Sequence, residues 1–221
     1  RYGAEKIVVV SPGVHIKSVP SSANGNTKAF ILALGATVHR KRIPTLVRAF
    51  QQVCEELKEI HLYIVGPAGD DEGAVKAVVM GIGLSKASSM AAIKKLPLSA
   101  QKRVLRIGRV DDLERDRLLA DASLLAHPSE YEGFGLPVIE AMAAQTPVIT
   151  TTGGSLAEVA ADAAVLVEPE NIDELAAGIL HIMSSPATRQ TLIEKGKARA
   201  AEFSWESTAR GLIKVYRDIA K

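Results

Sequence analysis

Short apolar runs that stop at a glycine or proline, then give way to helically spaced residues, limit what this chain can become. Phe30-Ile31-Leu32-Ala33-Leu34 ends at Gly35, Leu62-Tyr63-Ile64-Val65 at Gly66-Pro67-Ala68-Gly69, and Val104-Leu105-Arg106-Ile107 at Gly108. Ser123-Leu124-Leu125-Ala126-His127 ends at Pro128, Pro147-Val148-Ile149-Thr150 runs into Thr151-Thr152-Gly153-Gly154, and Ala164-Val165-Leu166-Val167 closes the series. Continuous apolar runs of this length read as strands covered on both faces. Strands alternating with helices at short spacing give a parallel sheet with helices on each side. The sequence therefore predicts an α/β fold, a single doubly wound Rossmann-like domain over about residues 28–200.

The segments between the strands agree. Pro44 opens a helix with Leu46, Phe50, Val53 and Leu57 on one face, and Asp70-Asp71-Glu72 puts acid at the start of another. Ser155 with Glu158, and Asn171 with Glu174, have capping-box spacing. Further helices are expected over Ser85–Lys95, from Asn171 through Ile182, about Ala187 to Glu202 and from Trp205 to Ile219. In the last of these, Trp205, Leu212, Val215 and Tyr216 are expected to pack residues 201–221 back onto the body. Ile7-Val8-Val9-Val10 is a β-branched run, and residues 17–28 are rich in Ser, Asn, Pro and Gly. Residues 1–27 thus read as a strand and linker, and Arg1-Tyr2-Gly3, without Met or a signal-like segment, reads as the start of a fragment.

Charge and cysteine content exclude some classes. Net charge is +2 with no clustered basic face, so no nucleic-acid partner is expected. No apolar run is long enough to span a membrane. One cysteine, Cys54, excludes an internal disulfide and suits a cytoplasmic setting. His15, His39, His61, His127 and His181 have no metal-ligand spacing, so no metal site is expected.

The stretch with the most chemistry is Glu132-Gly133-Phe134-Gly135-Leu136-Pro137-Val138-Ile139-Glu140. It sits between a strand and a helix, and open α/β sheets bind ligands at the carboxyl ends of their strands. Gly133 and Gly135 allow close backbone approach, and the free amides of a helix start favour anions or hydroxyls. Glu132 and Glu140 are open to two readings: an acid–base or hydroxyl-binding pair, or a helix cap and a solvent-facing residue. Glu140, followed by Ala-Met-Ala-Ala, should be partly enclosed and so should have a partner. Arg40 and Lys41 follow the first strand turn, where they are either cations for a diphosphate or a solvated basic loop. His127 reads best as a packed core histidine and Ser129 has no nucleophile-elbow context. Gly153-Gly154 is either a ligand approach or a plain turn.

These motifs in this order resemble the retaining GT-B glycosyltransferases, family 4 of the sequence classification. Glu132 to Glu140 looks like its E-x7-E signature, flanked by Pro128-Ser129 and Ala141-Met142-Ala143. Gly35 to Phe50 looks like its G-x(5)-K-x(4)-L-x-x-A-F run, Gly108-Arg109-Val110 fits its next turn, and Phe203-Ser204-Trp205 with Tyr216 fits its C-terminal helices.

The resemblance implies the C-terminal, donor-binding half of a two-domain GT-B fold. It implies transfer of a hexosyl group from a nucleoside diphosphate sugar to an acceptor sugar, lipid or small molecule. Gly35, Lys41 and Arg40 would line the diphosphate site. The backbone at Val110 would meet the base, and Glu140 would hold the ribose. Glu132 with the amides of Gly133, Phe134, Gly135 and Leu136 would hold the sugar or phosphate. Lys41 and Glu132 would be the catalytic pair, without metal. An N-terminal domain would be the partner, and the full-length enzyme could associate peripherally with a membrane. The family arginine after the first glycine is replaced by Ala36, which leaves Arg40 or Arg42 to supply that cation. Two rivals stand beside this reading: a glycoside hydrolase using Glu132 and Glu140, and a non-catalytic Rossmann-like module.

Overall fold

A computed structural model describes residues 7–14, 29–80 and 98–220. The expectations for Arg1–Gly3, His15, residues 17–28 and the helix Ser85–Lys95 lie outside the described residues.

The strands β1 (Phe30–Leu34), β2 (His61–Val65), β3 (Val104–Gly108), β4 (Leu124–His127), β5 (Val148–Thr151) and β6 (Val165–Val167) form one sheet. Its order is β3-β2-β1-β4-β5-β6 and every pairing is parallel. The expected doubly wound Rossmann-like domain is therefore present. Strand β1 pairs with β2 on one side and β4 on the other, Leu32 standing opposite both Tyr63 and Leu125. Connections leave β1 and β4 in opposite directions, which opens a crevice at their carboxyl ends.

Side-chain alternation along β1 divides the interior in two. Ile31 and Ala33 face a core built with α1 (Ile43–Val53), α2 (Glu72–Met80) and α7 (Ile172–Ser184), where Leu46, Phe50, Val53 and Ile179 are fully enclosed. Phe30, Leu32 and Leu34 face a second core, with Leu119 of α4 (Asp112–Asp121), Val138, Ile139 and Met142 of α5 (Leu136–Ala143), and Leu156 of α6 (Leu156–Ala160). Covering both faces of β1, β4 and β5 is why those strands are unbroken apolar runs, whereas edge strand β3, expected to be covered too, leaves Leu105 and Ile107 exposed. A short helix, α3 (Leu98–Gln101), precedes β3, and α8 (Pro186–Ala201) and α9 (Trp205–Ile219) end the chain.

Three local expectations are corrected. Helix α1 stops at Val53, so Leu57 packs from the turn that follows. Arg103 explains the stop: its guanidinium donates to the carbonyls of Cys54, Leu57 and Ile60, and stacks on Phe50. Ser155 does not cap α6 with its side chain. Its hydroxyl donates instead to the Glu132 carbonyl at 3.1 Å. Ile7–Val10 pairs with no described strand, and only Val14 makes an isolated bridge, to Ser204.

Asn171 does cap α7, accepting from the Glu174 amide. On α9, Trp205, Leu212 and Tyr216 remain exposed. The helix meets the body through Gly211, against Val10, and through Thr208 Oγ1, which donates to the Ser11 carbonyl.

The buried ring of Phe50 links α1 to the sheet, and nothing polar replaces it when truncated. Phe50→Ala should cost about 3–5 kcal/mol of unfolding free energy, read as a lower urea midpoint.

Candidate functional site

The loops after β1, β2 and β3 lie side by side. Gly35 N–H donates to the Val65 carbonyl and Gly66 N–H to the Gly108 carbonyl. Gly66, at φ +138°, brings its α-carbon so near the Gly35 carbonyl that a β-carbon would sit 2.2 Å from the oxygen. Buried Thr37 then pins the first loop to the second. Its hydroxyl donates to Glu72 Oε2 at 2.7 Å and accepts from the Gly69 amide at 2.9 Å, and Arg106 holds the same Glu72 oxygen at 3.1 Å.

From that anchored start the chain makes a 3₁₀ turn over His39–Lys41, closed by Arg42 in the left-handed region at φ 49°. The turn sends Arg40 outward and Lys41 inward, where Lys41 is only 8% exposed.

Lys41 Nζ meets Glu132 Oε1 at 2.5 Å, and Arg40 NH1 meets Glu132 Oε2 at 2.6 Å. Ser129 Oγ donates to Oε1 at 2.8 Å, and His127 Nε2 lies 3.2 Å from that oxygen. One carboxylate thus gathers two cations from the loop after β1 and two neutral groups from its own side of the crevice. Burial opposes ionisation of Glu132. The hydrogen bonds from His127, Lys41 and Ser129 outweigh it and hold the carboxyl well below the usual carboxylate range. Burial pushes the His127 imidazole down, against the pull of Glu132, so it is a neutral histidine beside an ionised acid.

Glu132 is held from behind by the loop after β5. Ser155 N–H and Oγ both reach the Glu132 carbonyl, Thr151 Oγ1 donates to the Ser129 carbonyl, and Thr150 Oγ1 to that of His127. A β-carbon on Gly153 would stand 1.9 Å from the Glu130 carbonyl, and one on Gly154 2.6 Å from that of Glu132. Both glycines of the second turn serve this contact between loops. Beyond Glu132, Gly133 is open, Phe134 packs edge-on against Phe203, and Gly135 at φ 94° starts α5. Among the described residues, the amides of Phe134, Gly135 and Leu136 find no acceptor, as befits a helix start aimed at the crevice.

Glu140 lies elsewhere. It lines a cleft of about 360 Å³ with Asp112, Arg115 and Asp116 of α4, Leu136, Val14 and Trp205. It is partly buried as expected, yet its carboxylate has no hydrogen-bond or ion-pair partner among the described residues. Burial pushes its carboxyl up, and Arg115 partly offsets this. Leu136 joins the two regions, its amide at the start of α5 and its side chain in the cleft. Val110 is half-buried against the second core just before α4. Arg42 is committed to Glu130 and Glu170, so Arg40 is the arginine that joins Lys41.

His127 and Ser129, read from the sequence as bland, are part of the cluster. The usable signal was their placement five and three residues before Glu132 across a strand end. They do not form a nucleophilic triad: Ser129 is fully buried, and His127 meets both Ser129 and Glu132 through the same nitrogen. Nor does Glu132 suit a hydrolase's general acid, since its partners keep it ionised.

Residues 16–199 match the family model for glycosyl transferases group 1. The D-inositol 3-phosphate glycosyltransferase of Kribbella flavida is 31% identical over 234 residues, covering 98% of this chain and 52% of that protein. Among solved structures, sucrose-phosphate synthase from Thermosynechococcus elongatus superposes with a TM-score of 0.72 at 27% identity, covering 94% of this chain and 51% of that one. The C-terminal domain of a group 1 family protein (LpcC) from Francisella tularensis gives 0.68 at 21% identity, covering 86% and 97%. The chain spans about half or less of the length of the curated relatives it matches. Among the described residues, no helix is long and apolar enough to cross a membrane.

The Glu132 contacts make part of the acid stability depend on this carboxyl. Its folded value lies below the ordinary 4.5, so its contribution is complete above about pH 4.5 and is lost as pH falls further. Urea unfolding from pH 7 to pH 3 should show wild type more stable than Glu132→Gln, with the gap narrowing below about pH 4.5. A gap constant with pH would contradict the assignment.

Proposed function

The chain belongs to the group 1 glycosyl transferases, and on that premise we propose that it is the donor-binding domain of a retaining hexosyltransferase. The donor is a nucleoside diphosphate sugar and the acceptor is a hydroxyl of a sugar, lipid or small molecule. The observation that carries this reading is the convergence of Lys41 and Arg40 on Glu132 at the β1–β4 crevice, beside three amides without acceptors.

In this mode the diphosphate lies across the crevice. Lys41, as a compact point charge, and Arg40, as a fork, take its oxygens, with Gly35 leaving room for Lys41 to cross. The amides of Phe134, Gly135 and Leu136 add the positive end of α5. As the glycosidic bond breaks, negative charge grows on the leaving diphosphate, and these fixed cations and dipoles stabilise it most in the transition state. Glu132 keeps the cations aimed and accepts from the transferred sugar. The nucleoside runs toward the α4–α5 cleft, its base against the Val110 backbone and its ribose hydroxyls on Glu140. An acceptor with no partner among the described residues, half-buried in a roomy cleft, suits that last role.

Charge compensation by side chains and amides leaves no step that requires a metal. The acceptor site and the remaining catalytic groups belong to an N-terminal domain across the crevice, and the complete enzyme works in the cytoplasm with peripheral access to membranes. The present chain therefore binds nucleotide without turning over sugar.

A thermal-shift screen of UDP, GDP and ADP, with and without attached hexoses, tests the proposal. A nucleotide at about 100 times its dissociation constant adds about 2.7 kcal/mol to stability. Lys41→Met should abolish the shift, and Glu140→Ala should weaken it. A flat screen sinks the donor reading, and measurable transfer by this chain alone sinks the division of labour between domains.

A further inference from the structure

The donors around the Glu132 carboxylate are of two kinds. Lys41 and Arg40 reach it from across the crevice, and the Arg40 side chain is about half exposed. Ser129 and His127 reach Oε1 from behind, with relative exposures of 0% and 1%. The second pair is fixed in place. It sits at the end of β4, and its carbonyls accept hydrogen bonds from Thr150 and Thr151 of β5. Neither side chain faces solvent, so neither can leave Glu132 for a phosphate that enters the crevice.

From this arrangement we infer that His127 and Ser129 are positioning residues: they hold the Glu132 carboxylate in place and ionised when Lys41 and Arg40 shift onto the donor diphosphate. The inference rests on the donor-binding reading above. A diphosphate competes with Glu132 for the same two cations. A buried carboxylate stripped of its partners must take up a proton or swing away. Two neutral donors that a ligand cannot recruit prevent both outcomes.

The histidine must itself stay neutral, with its proton on Nε2. The charged groups facing it are Glu132 on its own loop and Lys41 and Arg40 from the loop after β1. Burial and the two cations favour the neutral ring, against Glu132. A third cation here would draw Glu132 away from the site. A neutral N–H orients it without adding charge.

The test has two arms. The first uses Lys41→Met as a background that mimics departure of the cation, and follows the Glu132 side-chain carboxyl by ¹³C NMR against pH. Adding His127→Leu should raise the titration midpoint by about one pH unit, because a charge-assisted hydrogen bond is lost. Adding His127→Gln instead, whose amide N–H can take the place of the Nε2 proton, should restore most of it. Ser129→Ala should give a rise in the same direction, and it carries the measurement if His127→Leu fails to fold. Folded variants with an unmoved midpoint overturn the inference.

The second arm measures affinity for UDP, GDP and ADP by calorimetry in the otherwise wild-type chain. His127→Leu should weaken the nucleotide that binds by about tenfold, which corresponds to one such hydrogen bond, and His127→Gln should recover it. Equal affinity in His127→Leu and wild type overturns the inference. If wild type binds none of the three, the donor reading falls, and the midpoint measurement alone decides the hold on Glu132.

Discussion

An ionised carboxylate in a nearly dry crevice is costly unless several donors meet it, and the carboxyl edge of this protein is arranged around that requirement. Glu132 draws Lys41 and Arg40 across the gap between the β1 and β4 loops. It takes Ser129 and His127 from its own loop, and its carbonyl is fixed by Ser155. Each partner is itself positioned by packing. The 3₁₀ turn that splits Arg40 from Lys41 depends on Thr37 being tied to Glu72, which Arg106 holds in turn. The backbone behind Glu132 depends on two glycines that let the β5 loop close in.

The fold was legible because its signal is redundant. Unbroken apolar runs, glycine stops and alternating helices all demand a parallel sheet covered on both faces, and a shift of one or two residues at a boundary leaves that demand intact. The Lys41–Glu132 contact was less legible, because it joins residues 91 apart in sequence. Only a known motif order suggested it. What stayed hidden was whatever depends on a competing local partner. Ser155 has the spacing of a cap, yet the Glu132 carbonyl takes its hydroxyl. Leu57 has helical spacing, yet the carbonyls of Cys54, Leu57 and Ile60 take the Arg103 guanidinium where the chain turns away. His127 in an apolar strand looks like core, and its exposure agrees. Its role is set by the one nitrogen that reaches Glu132.

The two glutamates of the signature stretch have opposite environments. Glu132 is saturated with partners and held ionised, whereas Glu140 is half-buried, its carboxyl pushed up by burial and by Asp116 and Asp112 against the pull of Arg115. Helix α5 connects them, its N-terminal amides at one and its side-chain face at the other. A single short helix therefore sets the span between the two carboxylates.

The interlocking of Gly153 and Gly154 with the Glu130–Glu132 backbone has a practical consequence for redesign. Residues 130–132 and 153–155 behave as one mechanical part, so libraries that randomise either loop alone will mostly return misassembled proteins. Diversity is better placed on Asp112, Arg115, Asp116, Leu136 and Glu140, whose side chains line an open cleft. The chain thus pairs a rigid, interlocked loop assembly with a separate open cleft beside it.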